Sequence, residues 1–214
     1  MNPSSQLVCV TGADGSGKST LIRALAERLA AEGRSVAVVS IWDLYADRRV
    51  SDVFRSRALL MDYLAALSPL SRCYFLLHAL RGALDGAPAA DILLLDAYWY
   101  KYMAGEAAHG VPPRVLLGLV QDFPRPDSIW YLSAPTELAA ERKAGFSAYE
   151  TGFADASAEA FIAFQEKLKR HLLEFVGNEG VPLVQLDPLR EVPEQLARRI
   201  AAHLGGARPG ARAP

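Results

Sequence analysis

Gly12, Gly17, Lys18 and Ser19 stand at the spacing G-x-x-x-x-G-K-[ST] within GADGSGKST, residues 12–20. Residue types at that spacing bind phosphate. Glycines let successive backbone N–H groups turn inward on phosphate oxygens, a following helix adds the positive end of its dipole, the lysine reaches the outer phosphates, and the serine hydroxyl ligates magnesium. Gly12, Gly15, Ser16, Gly17, Lys18, Ser19 and Thr20 are therefore the candidate residues for a nucleoside triphosphate. Asp14 fits such a loop poorly, because a carboxylate gains nothing by facing a triphosphate. Either it points across the loop to a hydroxyl of a second substrate, or it is a turn-favouring residue that tolerates the loop's backbone angles.

Transfer of a phosphoryl group needs more than a cradle: an acid near the reacting oxygens, cations over the group in flight and a second pocket for the acceptor. Asp96 ends the apolar run ILLLD, where open parallel sheets place their ligands. It can orient magnesium waters or accept from the acceptor, or else simply cap the next turn. Arg142 and Lys143 are the candidate cations in a Gly-, Ala- and Ser-rich segment, unless they are the solvated end of a helix. The aromatic run YWYKY, Tyr98 to Tyr102, can wall an acceptor base or pack into the core.

Five apolar runs can position these residues: LVCVTG (7–12), SVAVVSIW (35–42), DILLLDAY (91–98), SIWYLSAP (128–135) and PLVQLD (182–187). Helical patterns separate them, which predicts βαβ units and a buried parallel sheet. Leu21, Ile22, Leu25 and Leu29 place a helix directly after the loop, stopped by Gly33. A long helical region is expected over Val50 to Leu84, a further helix over Ser157 to Val176, and a last one from Pro193 to Leu204. ERKAGFSAYETGFADAS, with a lid at about 142–156, has the composition of a mobile segment over a site. The expected organisation is one domain over 1–204 and a disordered tail over 205–214.

The 214-residue chain carries a formal net charge of -1, which gives no electrostatic case for nucleic acid or an acidic membrane. No run approaches a membrane span, and the start lacks a basic n-region, so the expectation is a cytoplasmic protein. Cys9 and Cys73 lack metal-type spacing and read as core thiols, while the four histidines are scattered singly.

Together these residues resemble the thymidylate kinase family, which moves the γ-phosphoryl group of ATP to dTMP. GADGSGKST is similar to its Gly-x-Asp-x-x-Gly-Lys-Ser/Thr loop and DAY (96–98) to its Asp-Arg-Tyr/His motif. PDSIWYLSAPTELAAERK is similar to the strand and helix leading into its lid, and AYETGF (148–153) to its lid Arg-Tyr-Glu-x-Gly segment. The resemblance implies a three-layer α/β/α P-loop kinase fold, with a five-stranded parallel sheet flanked by helices and a short lid. It implies ATP and Mg2+, with Ser19 and Asp96 at the metal, Lys18, Asp96, Arg142 and Lys143 in catalysis, and Arg142 also on ATP. Nucleotide substrates and a homodimer are also implied. For the acceptor it implies Asp14 on a sugar hydroxyl and Arg81 on the base, with Trp42, Arg48, Arg49, Leu77, Tyr98 and Tyr149 at matching positions and Lys101, four residues past Ala97, as a further acceptor candidate.

Several of those positions depart from the family pattern. Gly15 and Ala148 stand where a loop or lid arginine would match, and Ala97 replaces the arginine that would clamp the acceptor phosphate. Lys101 offers a point charge instead. Leu77 stands where an aromatic would stack on thymine, and Trp42-Asp43 replaces a Phe-Pro pair, with Arg48 or Arg49 following. The nucleotide half of the site is retained and the acceptor half rewritten. That leaves dTMP or a related nucleotide as the leading acceptor, with a deoxynucleoside or other small alcohol, or weak catalysis by an ATP-binding protein, as alternatives. A guanine-binding switch is disfavoured, since no Asn/Thr-Lys-x-Asp segment follows a strand.

Overall fold

The computed structural model describes residues 5–206; the expected tail lies outside the described residues from 207 onward. Each apolar run forms a strand: β1 (Gln6–Gly12), β2 (Val36–Val39), β3 (Ile92–Asp96), β4 (Ser128–Leu132) and β5 (Leu183–Leu186). All pair in parallel, in the order β2-β3-β1-β4-β5. β1, β3 and β4 read as continuous apolar runs because both faces of the sheet are covered. On one face lie α1 (Lys18–Ala31) and α9 (Pro193–Gly206), where Leu21, Leu25 and Leu29 pack with Leu196, Ile200 and Leu204. On the other lie α4 (Pro69–Asp85), α5 (Tyr98–Ala108) and α8 (Ala158–Gly177), whose core includes Leu80, Met103, Leu168 and Phe175. The result is a three-layer α/β/α fold of the P-loop kind.

That topology makes the site. The chain leaves β1 for α1 on one face and leaves the neighbouring β3 for α5 on the other, opening a crevice at the carboxyl ends of these two strands. GADGSGKST follows β1 and Asp96 ends β3, so the topology delivers both to that crevice.

The structure corrects three expectations about elements. The long helical region over 50–84 is broken into three helices, α2 (Arg48–Phe54), α3 (Arg57–Ala66) and α4. Arg55 takes φ 42°, and the side chains of Ser56 and Ser68 cap α3 and α4 by accepting from Leu59 N and Ser71 N, with Pro69 in the first turn of α4. The run 35–42 is strand only to Val39, because Ser40 and Asp43 form a reciprocal capping box that starts a 3-10 helix over Ile41–Ala46. The run 91–98 ends at Asp96: Ala97 (φ 64°) and Tyr98 (φ 55°) turn the chain sharply into α5. Two short helices, α6 (Pro113–Leu119) and α7 (Thr136–Glu141), complete the order. α8 and α9 lie within two residues of their expected bounds.

Candidate functional site

The loop between β1 and α1 is fixed by its backbone. Gly12, Gly15 and Gly17 have φ 155°, 75° and 96°, a region costly for residues with a Cβ. At Gly12 a Cβ would lie 2.8 Å from Leu132 O and 2.9 Å from Ser16 Oγ. At Gly15 it would lie 2.9 Å from the Cβ of Ala139, so α7 itself forbids an arginine in the loop. Lys18 is buried, and its Nζ donates to Gly12 O (3.0 Å) and Ala13 O (2.7 Å). Burial, and then the nearby Lys101, pull its pKa down to about 8. Ser16 Oγ is buried with no partner among the described residues, which suits a loop that receives phosphate oxygens.

A cavity of about 670 Å³ opens from this loop. Asp14, Gly15, Gly17, Lys18, Ser19 and Thr20 form one end, with Asp96, Ala97, Lys101 and Tyr102 beside them. Trp42 lines it from the 3-10 helix, Arg57, Met61 and Leu64 from α3, and Arg72 and Leu76 from α4. Ser147, Tyr149 and Glu150 cover it from the segment expected to be a lid.

Its charges are paired across elements. Lys101 Nζ lies 2.5 Å from Asp14 Oδ1, joining the first turn of α5 to the loop. Burial alone would raise the Asp14 pKa, but Lys101 and then Lys18 outweigh it and hold the carboxyl at about 2. Burial likewise opposes charge on Lys101, but Asp14, followed by Asp96, keeps its pKa above the ordinary lysine value. Arg72 and Glu106, 1% and 0% exposed, form a bidentate pair at 2.8 and 3.0 Å. Arg72 Nη1 also donates to Leu64 O (3.2 Å) and Leu67 O (2.9 Å), and the Tyr149 hydroxyl donates to Glu106 Oε1 at 3.0 Å. Burial and the Glu106 charge keep that phenol protonated. The fully buried Gln165 of α8 ties the two sides together: its Oε1 accepts from Asp14 N (3.2 Å) and its Nε2 donates to Glu150 O (3.4 Å).

The loop residues, Asp14, Asp96, Trp42, Lys101 and Tyr149 thus meet at one cavity. Others do not reach it. Arg81 is exposed, pairs with Asp85 at 3.0 Å and donates to Asp122 O at 3.4 Å, because α4 presents Arg72 and Leu76 to the cavity instead. Leu77 packs in the core. Tyr98, Trp99 and Tyr100 are buried in the core too, so of YWYKY only Lys101 and Tyr102 line the cavity. Arg48 is exposed on α2, and the Arg49 side chain lies outside the described residues. Arg142 caps the C-terminus of α7 and is exposed, outside the cavity lining. Lys143 is held by Glu150 at 2.5 Å.

Sequence reasoning missed Arg57, Arg72, Glu106 and Gln165 as site residues. Arg57 stacks over the Trp42 ring at 4.7 Å and has no carboxylate partner among the described residues, leaving a cation at the cavity wall. Arg72 and Glu106 are 34 residues apart, so no short pattern links them. The Arg81–Asp85 spacing of four was a readable sign that Arg81 had a partner on its own helix.

Ser19 and Asp96 both line the cavity, one hydroxyl and one carboxylate, which fits magnesium, an ion that keeps most of its waters and takes few protein ligands. Among the described residues no helix is long and apolar enough to cross a membrane.

A family model for the methylmalonyl Co-A mutase-associated GTPase MeaB matches residues 2–49, the part of the chain holding the loop and its helix. Over nearly the whole chain the likeness is to thymidylate kinases. One from Rhodopirellula baltica is 30% identical over 211 residues, covering 92% of this chain and 79% of the relative. A probable thymidylate kinase from Archaeoglobus fulgidus is 24% identical over 207 residues, 92% of this chain and 96% of the relative. One named probable thymidylate kinase 1, from Saccharolobus solfataricus, is 26% identical over 139 residues, 64% and 69% of the two chains.

Proposed function

The chain belongs to the thymidylate kinase family, and from that premise we propose that it transfers the γ-phosphoryl group of ATP to dTMP or a related nucleotide, giving the diphosphate. The observation that carries this reading is that the loop and Asp96, at adjacent strand ends, face one cavity whose remaining walls leave room for a second substrate.

Loop N–H groups and Lys18 would hold the donor's phosphates, and Ser19 and Asp96 would hold magnesium. The ion, when bound, neutralises charge on the donor's phosphate oxygens. Arg57, stacked on Trp42, is placed to take the acceptor's phosphate in place of the arginine missing at Ala97. Tyr149 and Glu150 would close over the acceptor and exclude water. No general base is needed, since a phosphate acceptor is already ionised at neutral pH.

One observation favours a second reading. Ala97 brings a methyl group, not a cation, to the cavity beside Asp96, which suits a neutral hydroxyl acceptor with Asp96 as its base. Coupled ADP-release assays with dTMP, dUMP, dCMP, dGMP and thymidine test both. Faster turnover of a monophosphate supports the first reading and faster turnover of thymidine the second. No acceptor-stimulated ADP release with any of them sinks both.

A further inference from the structure

A phosphoryl group in flight spreads negative charge over three oxygens, and kinases place cations beyond the loop lysine to meet it. The structure separates the candidates here. An arginine cannot occupy position 15 without displacing α7. Arg142 is exposed and outside the cavity lining. Lys143 is outside the cavity lining, paired with Glu150 at 2.5 Å and set against the Phe161 ring at 5.7 Å. Among the described residues, Lys101 alone of the expected non-loop cations lines the cavity, with its side chain 17% exposed.

Four features bear on Lys101. It sits on the first turn of α5, five residues past Asp96, so the carboxyl end of β3 delivers both to the crevice. Its Nζ is held 2.5 Å from Asp14, a residue of the loop that cradles phosphate, so its position is fixed relative to that loop. An ammonium group has three N–H donors, and Asp14 Oδ1 takes one, leaving two for phosphate oxygens. Lys18 and Lys101 both line the cavity, and Lys101 is close enough to oppose the charge on Lys18, so the two present positive charge to a common space suited to an anion.

We propose that Lys101 is a catalytic cation that meets the transferring phosphoryl group, and that Asp14 is its positioning residue. The proposal rests on the kinase reading above. In the step it serves, an oxygen of the acceptor forms a bond to the γ-phosphorus as the bond to the β,γ-bridging oxygen breaks. That oxygen leaves on ADP with the bonding electron pair. Lys101 keeps its proton throughout and neutralises charge on the equatorial oxygens.

The test uses the full chain and the variants Lys101→Met, Lys101→Arg and Asp14→Asn. ADP release is measured at saturating acceptor, ATP Kd by calorimetry and folding by thermal melting. Lys101→Met is expected to lower kcat by about 10²–10³ while ATP Kd stays within about threefold. Lys101→Arg is expected to recover at least about tenfold of that loss, and Asp14→Asn to lower kcat more than it raises acceptor KM. If Lys101→Met lowers the melting temperature, the paired variant Asp14→Asn/Lys101→Met, which removes both members of the ion pair, carries the same expectation. A folded Lys101→Met enzyme with kcat within threefold of wild type overturns the assignment and leaves the kinase reading standing. A wild-type protein that binds ATP and turns over no acceptor overturns both.

Discussion

The two ends of the cavity are built by different means. At the loop end the ligand groups are backbone N–H donors, a lysine and a serine within nine consecutive residues, shaped by three positive-φ glycines between a strand and a helix. At the far end the walls come from the 3-10 helix, α3, α4, the segment 147–150 and α8, elements spread over more than a hundred residues, and side chains set the surface. Backbone geometry tolerates little change, so the loop keeps a form shared by many proteins. A side-chain wall can be re-lined one residue at a time, and here Arg72 and Leu76, not Leu77 and Arg81, face inward.

The contrast predicts different kinds of failure at the two ends. The largest effect belongs to the far wall: Arg72→Met leaves Glu106 buried with only Tyr149 to satisfy it, and breaking such a pair costs about 3–5 kcal/mol. Thermal melting should show Tm falling by roughly 10 °C, at about 2–4 °C per kcal/mol for a chain of this size. A fall under 2 °C would mean that the wall is not built on this pair.

At the loop end the expected loss is of function and not of fold. Lys18→Ala should lower kcat/KM by about 10²–10³ with little change in Tm, read from ADP release and melting of the same preparation. A smaller effect comes from pH. The Lys18 pKa is pulled down to about 8, chiefly by burial, so the amine loses its charge as pH rises through that value. ATP favours the charged form, hence ATP affinity should fall above pH 8, by up to about tenfold per pH unit, and Lys18→Met should remove that slope. Calorimetry at pH 7, 8 and 9 reads it. The smallest effects belong to residues outside the cavity: Arg81→Ala and Arg142→Ala should each leave kcat/KM within about threefold, because exposed charges away from the ligand contribute little. A hundredfold loss at Arg81 would return it to the acceptor site.

The sequence was readable where information is local. Apolar runs became strands because burial on both faces demands continuous hydrophobicity, and the loop motif lay between a strand and a helix as its chemistry requires. Capping hid the break-up of the 50–84 region: Ser56 and Ser68 read as ordinary helix residues until their side chains are seen to accept from the next turn. That Asp96 and Tyr149 would reach the cavity was legible through motifs. Arg57, Arg72, Glu106 and Gln165 were not, because their roles come from partners on other elements. Asp14 was recognised as out of place among phosphates, but its partner, Lys101, lies 87 residues away.

The central claim is that a retained donor end works with a rewritten acceptor end, and acceptor-stimulated ADP release under saturating ATP and magnesium tests it most directly. The account predicts that at least one of dTMP, dUMP, dCMP, dGMP and thymidine accelerates ADP release well above the rate with ATP alone. ATP binding at micromolar affinity with no acceleration by any of the five would contradict it.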